Sequence, residues 1–121
     1  MDTDLKRLRE ELLQFRAERD WEQFHTPRNL AASVVIEAAE LLEHFQWQRE
    51  GEALSEAQRA AVAKELADVF IYLVLLSNDL DIDLVSAATA KVRENAGRFP
   101  VDQARGKAWS NKPELHSGTV E

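Results

Sequence analysis

The chain has 121 residues, with 15 basic against 22 acidic side chains, four glycines, three prolines and no cysteine. That length holds one compact domain, the missing cysteine excludes a disulfide framework or a thiolate metal site, and a formal charge of −7 argues against a nucleic-acid binder, whose affinity rests on Lys and Arg neutralising phosphates. The longest apolar run, Val69–Leu76, is too short to span a bilayer, and the acidic start Met1-Asp2-Thr3-Asp4 is not a signal peptide. The expectation is a soluble cytoplasmic protein with neither a membrane nor a nucleic-acid partner.

The composition favours helices, and an all-α, four-helix bundle-like fold is expected. The first helix is predicted over about residues 3–21, with Asp2 or Thr3 as cap and Leu5, Leu8, Leu12 and Phe15 as its apolar stripe. The segment 21–27 breaks the pattern; Thr26 is a candidate N-cap and Pro27 the first residue of a second helix running to about residue 48. Ser55-Glu56-Ala57-Gln58 fits a capping box opening a third helix, about 55–78. Its run Val69–Leu76 leaves no solvent face over two turns. A monomer of this size cannot cover such a helix all round, so a homo-oligomer is expected, with this helix at or near the interface. Asp81 or Asp83 caps a fourth helix, about 83–99, which Pro100 stops. Residues 1–106 are read as the domain and 107–121 as an irregular tail.

Two carboxylate pairs stand out. Glu37-Ala-Ala-Glu40 lies on the second helix and Glu65-Leu-Ala-Asp68 on the third, each with i, i+3 spacing that puts both acids on one side. Glu37 interrupts the apolar row Leu30, Val34, Leu41, Phe45; Glu65 and Asp68 share a row with Ala61, Tyr72 and Leu75. One such pair is ordinary on a solvated face. Two pairs within apolar faces, on helices that a short connection makes antiparallel, would repel and hold protons unless a cation joined them. All-oxygen ligation points to Mg²⁺, with Mn²⁺ an alternative, and a hard cation points to phosphate chemistry. A di-iron bundle would need two Glu-x-x-His motifs; the only candidate, Glu22-x-x-His25, falls in the inter-helix break, and His44 reads as a surface residue or one supporting a ligand from behind.

Lys91, Asn95 and Arg98 fall on one face of the fourth helix. They read either as a solvated face complementing the helix dipole or as a clamp for phosphate oxygens. Trp21, Trp47 and Tyr72 are candidates for stacking on a base, against the plainer reading of core packing. No Gly-rich phosphate loop is present.

The signature Glu37-x-x-Glu40, a spacer over residues 41–64, then Glu65-x-x-Asp68, resembles that of the MazG-like all-α nucleoside triphosphate pyrophosphohydrolases. The block from Arg19 through Trp21, Phe24, His25 and Pro27 to Leu30 is similar to the dCTP pyrophosphatase branch, as are Phe45-Gln46-Trp47, the stretch from Asp68 to Leu73, and Arg98-Phe99-Pro100. The resemblance implies Mg²⁺-dependent cleavage of a deoxynucleoside triphosphate, dCTP or a 5-modified dCTP, to monophosphate and pyrophosphate, as a nucleotide-pool sanitising activity. It implies metal ligation and catalysis by Glu37, Glu40, Glu65 and Asp68, base or sugar contacts by Trp21, Trp47 and Tyr72, and phosphate or sugar contacts by Lys91, Asn95 and Arg98. It also implies a tetramer built as a dimer of dimers. Two departures stand out: Leu12 occupies a position where vertebrate members carry histidine, and the connection between helices two and three is shorter. Both leave base choice open. Two alternatives stay open: a pyrophosphohydrolase of another nucleotide, such as dUTP or phosphoribosyl-ATP, and a non-catalytic helical oligomerisation or nucleotide-sensing module.

Overall fold

The computed structural model describes residues 3–107, and among these the regular structure is helical throughout. In chain order it comprises α1 (Thr3–Glu18), a 3-10 turn (Glu22–Phe24), α2 (Pro27–Glu43), α3 (Glu56–Asp79), α4 (Leu84–Arg98) and α5 (Val101–Ala104). No helix among the described residues is long and apolar enough to cross a membrane.

Helix starts follow the side-chain chemistry. Thr26 Oγ1 accepts from the Asn29 amide at 3.1 Å, and Pro27 takes the first helical position of α2, where its missing N–H costs nothing. At α3 the capping box is complete: the Gln58 amide donates to Ser55 Oγ at 3.1 Å and the Ser55 amide to Gln58 Oε1 at 2.7 Å.

Helix ends explain where boundaries differ from expectation. α1 stops at Glu18 rather than about residue 21 because Asp20 turns left-handed, with φ of 54°, and the Trp21 amide bonds back to the Arg16 carbonyl. α3 ends the same way: Asp81 has φ of 58°, and the Ile82 amide reaches the Ser77 carbonyl. Asp tolerates this conformation better than most non-glycine residues. α2 ends at Glu43, not near 48, because His44, Phe45 and Gln46 bond three residues back, which tightens the chain into turns. A short helix follows α4 where no element is expected: Pro100, with ψ of 146°, precedes the single turn α5, too short to show any periodicity in sequence. The expected irregular tail, from residue 108 onward, lies outside the described residues.

Residues up to Leu84 form one compact unit and those from Val85 onward a second. In the first, α2 packs along α3, and α1 packs on α3. Its buried apolar side chains are Leu30, Val62, Val74 and Leu75. At about 1.5–3 kcal/mol each, these make a modest core. Val35, Ile36 and Leu42 on α2, and Leu66 and Phe70 on α3, stay 43–68% exposed in the single chain. Neither helix is covered all round.

Among the described residues of this unit, Arg16 is the charged side chain buried as a whole. Arg16, 6% exposed, sends Nη1 to Asp79 Oδ2 at 2.8 Å and Nη2 to Asp79 Oδ1 at 2.9 Å, a two-pronged pair that ties the last turn of α1 to the last residue of α3. The guanidinium holds Asp79 below the usual carboxylate range, against the opposing effect of burial. A depressed carboxylate pKa contributes stability above the unfolded-state pKa and loses it as pH falls through the folded-state value. Arg16→Met alone is expected to destabilise by about 3 kcal/mol because it strands Asp79, whereas the double change Arg16→Met with Asp79→Leu restores most of that loss. Urea unfolding of the two variants at pH 7 and pH 3 checks this, and the deficit of Arg16→Met shrinks at the lower pH.

Candidate metal centre and adjoining cavity

The packing of α2 on α3 brings three of the four predicted acids together. Glu37 from α2 and Glu65 and Asp68 from α3 each present a carboxylate oxygen, all within 4.8 Å of one another. Glu37 and Glu65 are half-buried and Asp68 is exposed. Glu40 lies outside this closest group but acts on it. The Glu37 carboxyl is pushed above its ordinary pKa first by burial, then by the negative charges of Glu40, Asp68 and Glu65, and by its hydrogen bond with Glu40. The fold thus places the acids near enough for the repulsion expected from their spacing to act on Glu37.

Two observations test whether a cation fits. The donors are all carboxylate oxygens, the set preferred by hard divalent ions. In addition, Glu65 Oε1 is buried with no hydrogen-bond partner, which is costly unless a positive charge satisfies it. The residues present fit a divalent cation. The other Glu65 oxygen, Oε2, lies 3.5 Å from His44 Nε2. His25 is not part of the acid group, so no Glu-x-x-His arrangement supports di-iron ligation among the described residues.

Asp68 also lines a cavity of about 440 Å³ between α1, α3 and the segment after α1. Trp21, His25 and Tyr72 supply its aromatic wall, and Leu8, Leu12 and Ile71 part of its apolar wall. The rings form a chain: Phe15 to Trp21 at 5.7 Å, Trp21 to His25 at 6.3 Å, His25 to Tyr72 at 6.5 Å between centroids. Trp21 is 42% exposed, so its ring is open to a ligand. The left-handed stop at Asp20 sets the direction in which the chain leaves α1 for Trp21. The guanidinium of Arg19 stacks 3.7 Å above Phe15 behind it. Leu12 lies on this cavity wall.

The remaining predicted residues stand elsewhere. Trp47, 86% exposed, lines a separate cavity of about 260 Å³ with His44 and Gln48, so one chain does not bring it to Trp21 and Tyr72. On α4, in the second unit, Lys91 Nζ lies 3.2 Å and Arg98 Nη1 3.9 Å from Glu94 Oε2, and the buried Asn95 Oδ1 has no hydrogen-bond partner. The two cations of the predicted clamp thus share one acidic neighbour.

Arg16 and His25 were not singled out from sequence as cavity residues, yet both line it. Arg16 had a visible signal, since it stands one turn after Leu12 where the stripe of α1 calls for an apolar residue. His25 had none beyond its place in the Arg19–Leu30 block. Burial, then the charge of Arg16, lowers the His25 pKa, with Asp79 opposing, so its imidazole is neutral near pH 7.

Comparison with known proteins fits this arrangement. The MazG-like family matches residues 32–111. Bovine dCTP pyrophosphatase 1 is 44% identical over 98% of this chain and 70% of its own length, and the human protein of the same name 46% identical over 87% and 62%. Among solved structures, a pyrophosphatase from Archaeoglobus fulgidus superposes with a TM-score of 0.77 at 38% identity, covering 83% of this chain and 95% of that one. With Glu37, Glu65 and Asp68 brought together across α2 and α3 and residues 32–111 matched by the family, the chain belongs to the MazG-like family.

Proposed function

We propose that this protein is a nucleoside triphosphate pyrophosphohydrolase that converts a deoxynucleoside triphosphate, dCTP or a 5-modified dCTP, to the monophosphate and pyrophosphate. The observation that carries the reading is the sharing of Asp68: one residue belongs both to the carboxylate group and to the aromatic cavity. A triphosphate needs a cation for its phosphates and a flat apolar surface for its base, side by side. The names of the relatives, dCTP pyrophosphatase 1 and a pyrophosphatase, support the same reaction.

In this reading Glu37, Glu40, Glu65 and Asp68 hold Mg²⁺, for which Mn²⁺ can substitute. Held there, the ion would supply Lewis-acid chemistry toward the phosphates and their developing charge. Trp21 and Tyr72 pack on the base, whose stacking is sequence-tolerant, while the cavity wall at Leu12 and His25 sets the fit. Lys91, Asn95 and Arg98 serve phosphate or sugar. Trp47 serves the base or sugar in an assembled form, because within one chain it stands apart. The exposed apolar faces of α2 and α3 support a homo-oligomer, read as a tetramer built as a dimer of dimers, working in the cytoplasm to clear the nucleotide pool.

Incubation of the purified protein with each natural and 5-substituted dNTP and Mg²⁺ is expected to release monophosphate and pyrophosphate, fastest from a cytosine nucleotide. The absence of turnover with every triphosphate overturns the proposal, and preference for dUTP moves the chain to another branch. Glu65→Gln and Asp68→Asn are each expected to lower kcat/KM by at least about a hundredfold. Trp21→Ala acts mainly on KM, by about tenfold for a lost stack.

A stability measurement isolates the ion. The raised Glu37 pKa means that its stabilising contribution, present at acid pH, is lost as pH rises through the folded-state value, where repulsion among the acids weakens the metal-free fold. Mg²⁺ at about a hundred times its Kd should therefore add about 2.7 kcal/mol to the wild type. Glu37→Gln should melt higher than wild type without metal and gain little when Mg²⁺ is added.

A further inference from the structure

We propose that His44 is a positioning residue for the metal centre: its ring N–H holds Glu65 Oε2, so that the other Glu65 oxygen is presented to the cation shared with Glu37 and Asp68. This rests on the metal reading above, and nothing in the comparisons or in the acid signature assigns a role to His44.

Three observations carry it. First, the contact crosses between helices: His44 Nε2 on α2 lies 3.5 Å from Glu65 Oε2 on α3. The side chains are 29% and 21% exposed, so both are largely withdrawn from water. Second, the two Glu65 oxygens are unequal. Oε2 has His44 beside it, whereas Oε1 is buried with no hydrogen-bond partner. A carboxylate held at one oxygen and unsatisfied at the other is what a ligand supported from behind looks like before its ion arrives. Third, the histidine is itself held. His44 is the C-cap of α2, with φ of −68° and ψ of −18°, and its amide bonds to the Leu41 and Leu42 carbonyls. It stands one turn after Glu40 and two after Glu37, so the helix that supplies a ligand also supplies the brace for the ligand opposite.

A plain surface ion pair is the competing account. Such pairs contribute little and tie nothing to metal affinity. At 3.5 Å the contact is at the outer limit of a hydrogen bond, so little of the fold's stability depends on it. Its consequence is orientation, and the two accounts separate in metal binding.

The test is Mn²⁺ titration of the full chain, read by the loss of the free-ion EPR signal, without nucleotide. His44→Leu is expected to weaken Mn²⁺ binding by about tenfold or more, as losses of groups that orient metal ligands do. His44→Gln, whose amide can donate to the same oxygen, is expected to stay within about threefold of wild type. Thermal unfolding of both variants without metal should match wild type. Equal Mn²⁺ affinity in His44→Leu and wild type overturns the inference. If His44→Leu does not fold, His44→Glu replaces it: the added negative charge faces Glu65, and unchanged affinity relative to His44→Gln overturns the inference equally. Absence of Mn²⁺ binding by the wild type overturns it together with the metal assignment. A protein that binds Mn²⁺ with the expected His44 dependence but cleaves no triphosphate leaves the inference standing and removes only the proposed reaction.

Discussion

Carboxylates crowded between two packed helices are the constraint around which this molecule is organised. α2 packs along α3, with Leu30 of α2 and Val62, Val74 and Leu75 of α3 buried, and that packing brings Glu37, Glu65 and Asp68 to within 4.8 Å. Nothing in the hydrophobic packing requires acids there, and the fold pays for them: Glu37 resists ionisation, and a Glu65 oxygen is left buried and unpartnered. A protein tolerates such a cost where the repulsion is useful. In the proposed function a divalent cation would turn the repulsion into ligation, and the same charge would then meet a triphosphate.

The second element is the cavity beside the acids, and it depends on how helices end. Left-handed aspartates stop α1 and α3, at Asp20 and Asp81, just beyond the two residues that form the buried pair, Arg16 and Asp79. The pair ties α1 to α3, and the stop after α1 directs the chain into Trp21 and His25. An apolar cavity lined by aromatic rings and joined through Asp68 to the carboxylate group is a combination that neither feature produces alone. Besides the acids Glu11 and Asp68, its wall carries Arg16, held by Asp79, and His25, packed between the rings of Trp21 and Tyr72.

Much of this was legible in the sequence because it rests on short-range rules. Ser55 and Gln58 announce the start of α3, and Thr26 with Pro27 that of α2, through bonds made within four residues. The i, i+3 acids follow from helix geometry once the helices are placed. Ends were less legible: the φ of Asp20 and the tightened turns after Glu43 depend on backbone bonding that apolar periodicity does not encode. Arg16 and His25 entered the cavity through partners far along the chain, Asp79 and Tyr72, and no local pattern announces such a pairing. Trp47 is the converse case. Its residue type and motif point to a base, yet its position within one chain is away from the cavity.

The central claim is that one cation and one base occupy neighbouring places joined by Asp68. A crystal structure with Mn²⁺ and an α,β-imido analogue of dCTP, recorded with anomalous scattering from manganese, tests it most directly. The account predicts an anomalous peak within ligand distance of Glu37, Glu65 and Asp68, with the cytosine ring between Trp21 and Tyr72. Manganese held elsewhere, or a base bound away from that cavity, would contradict it.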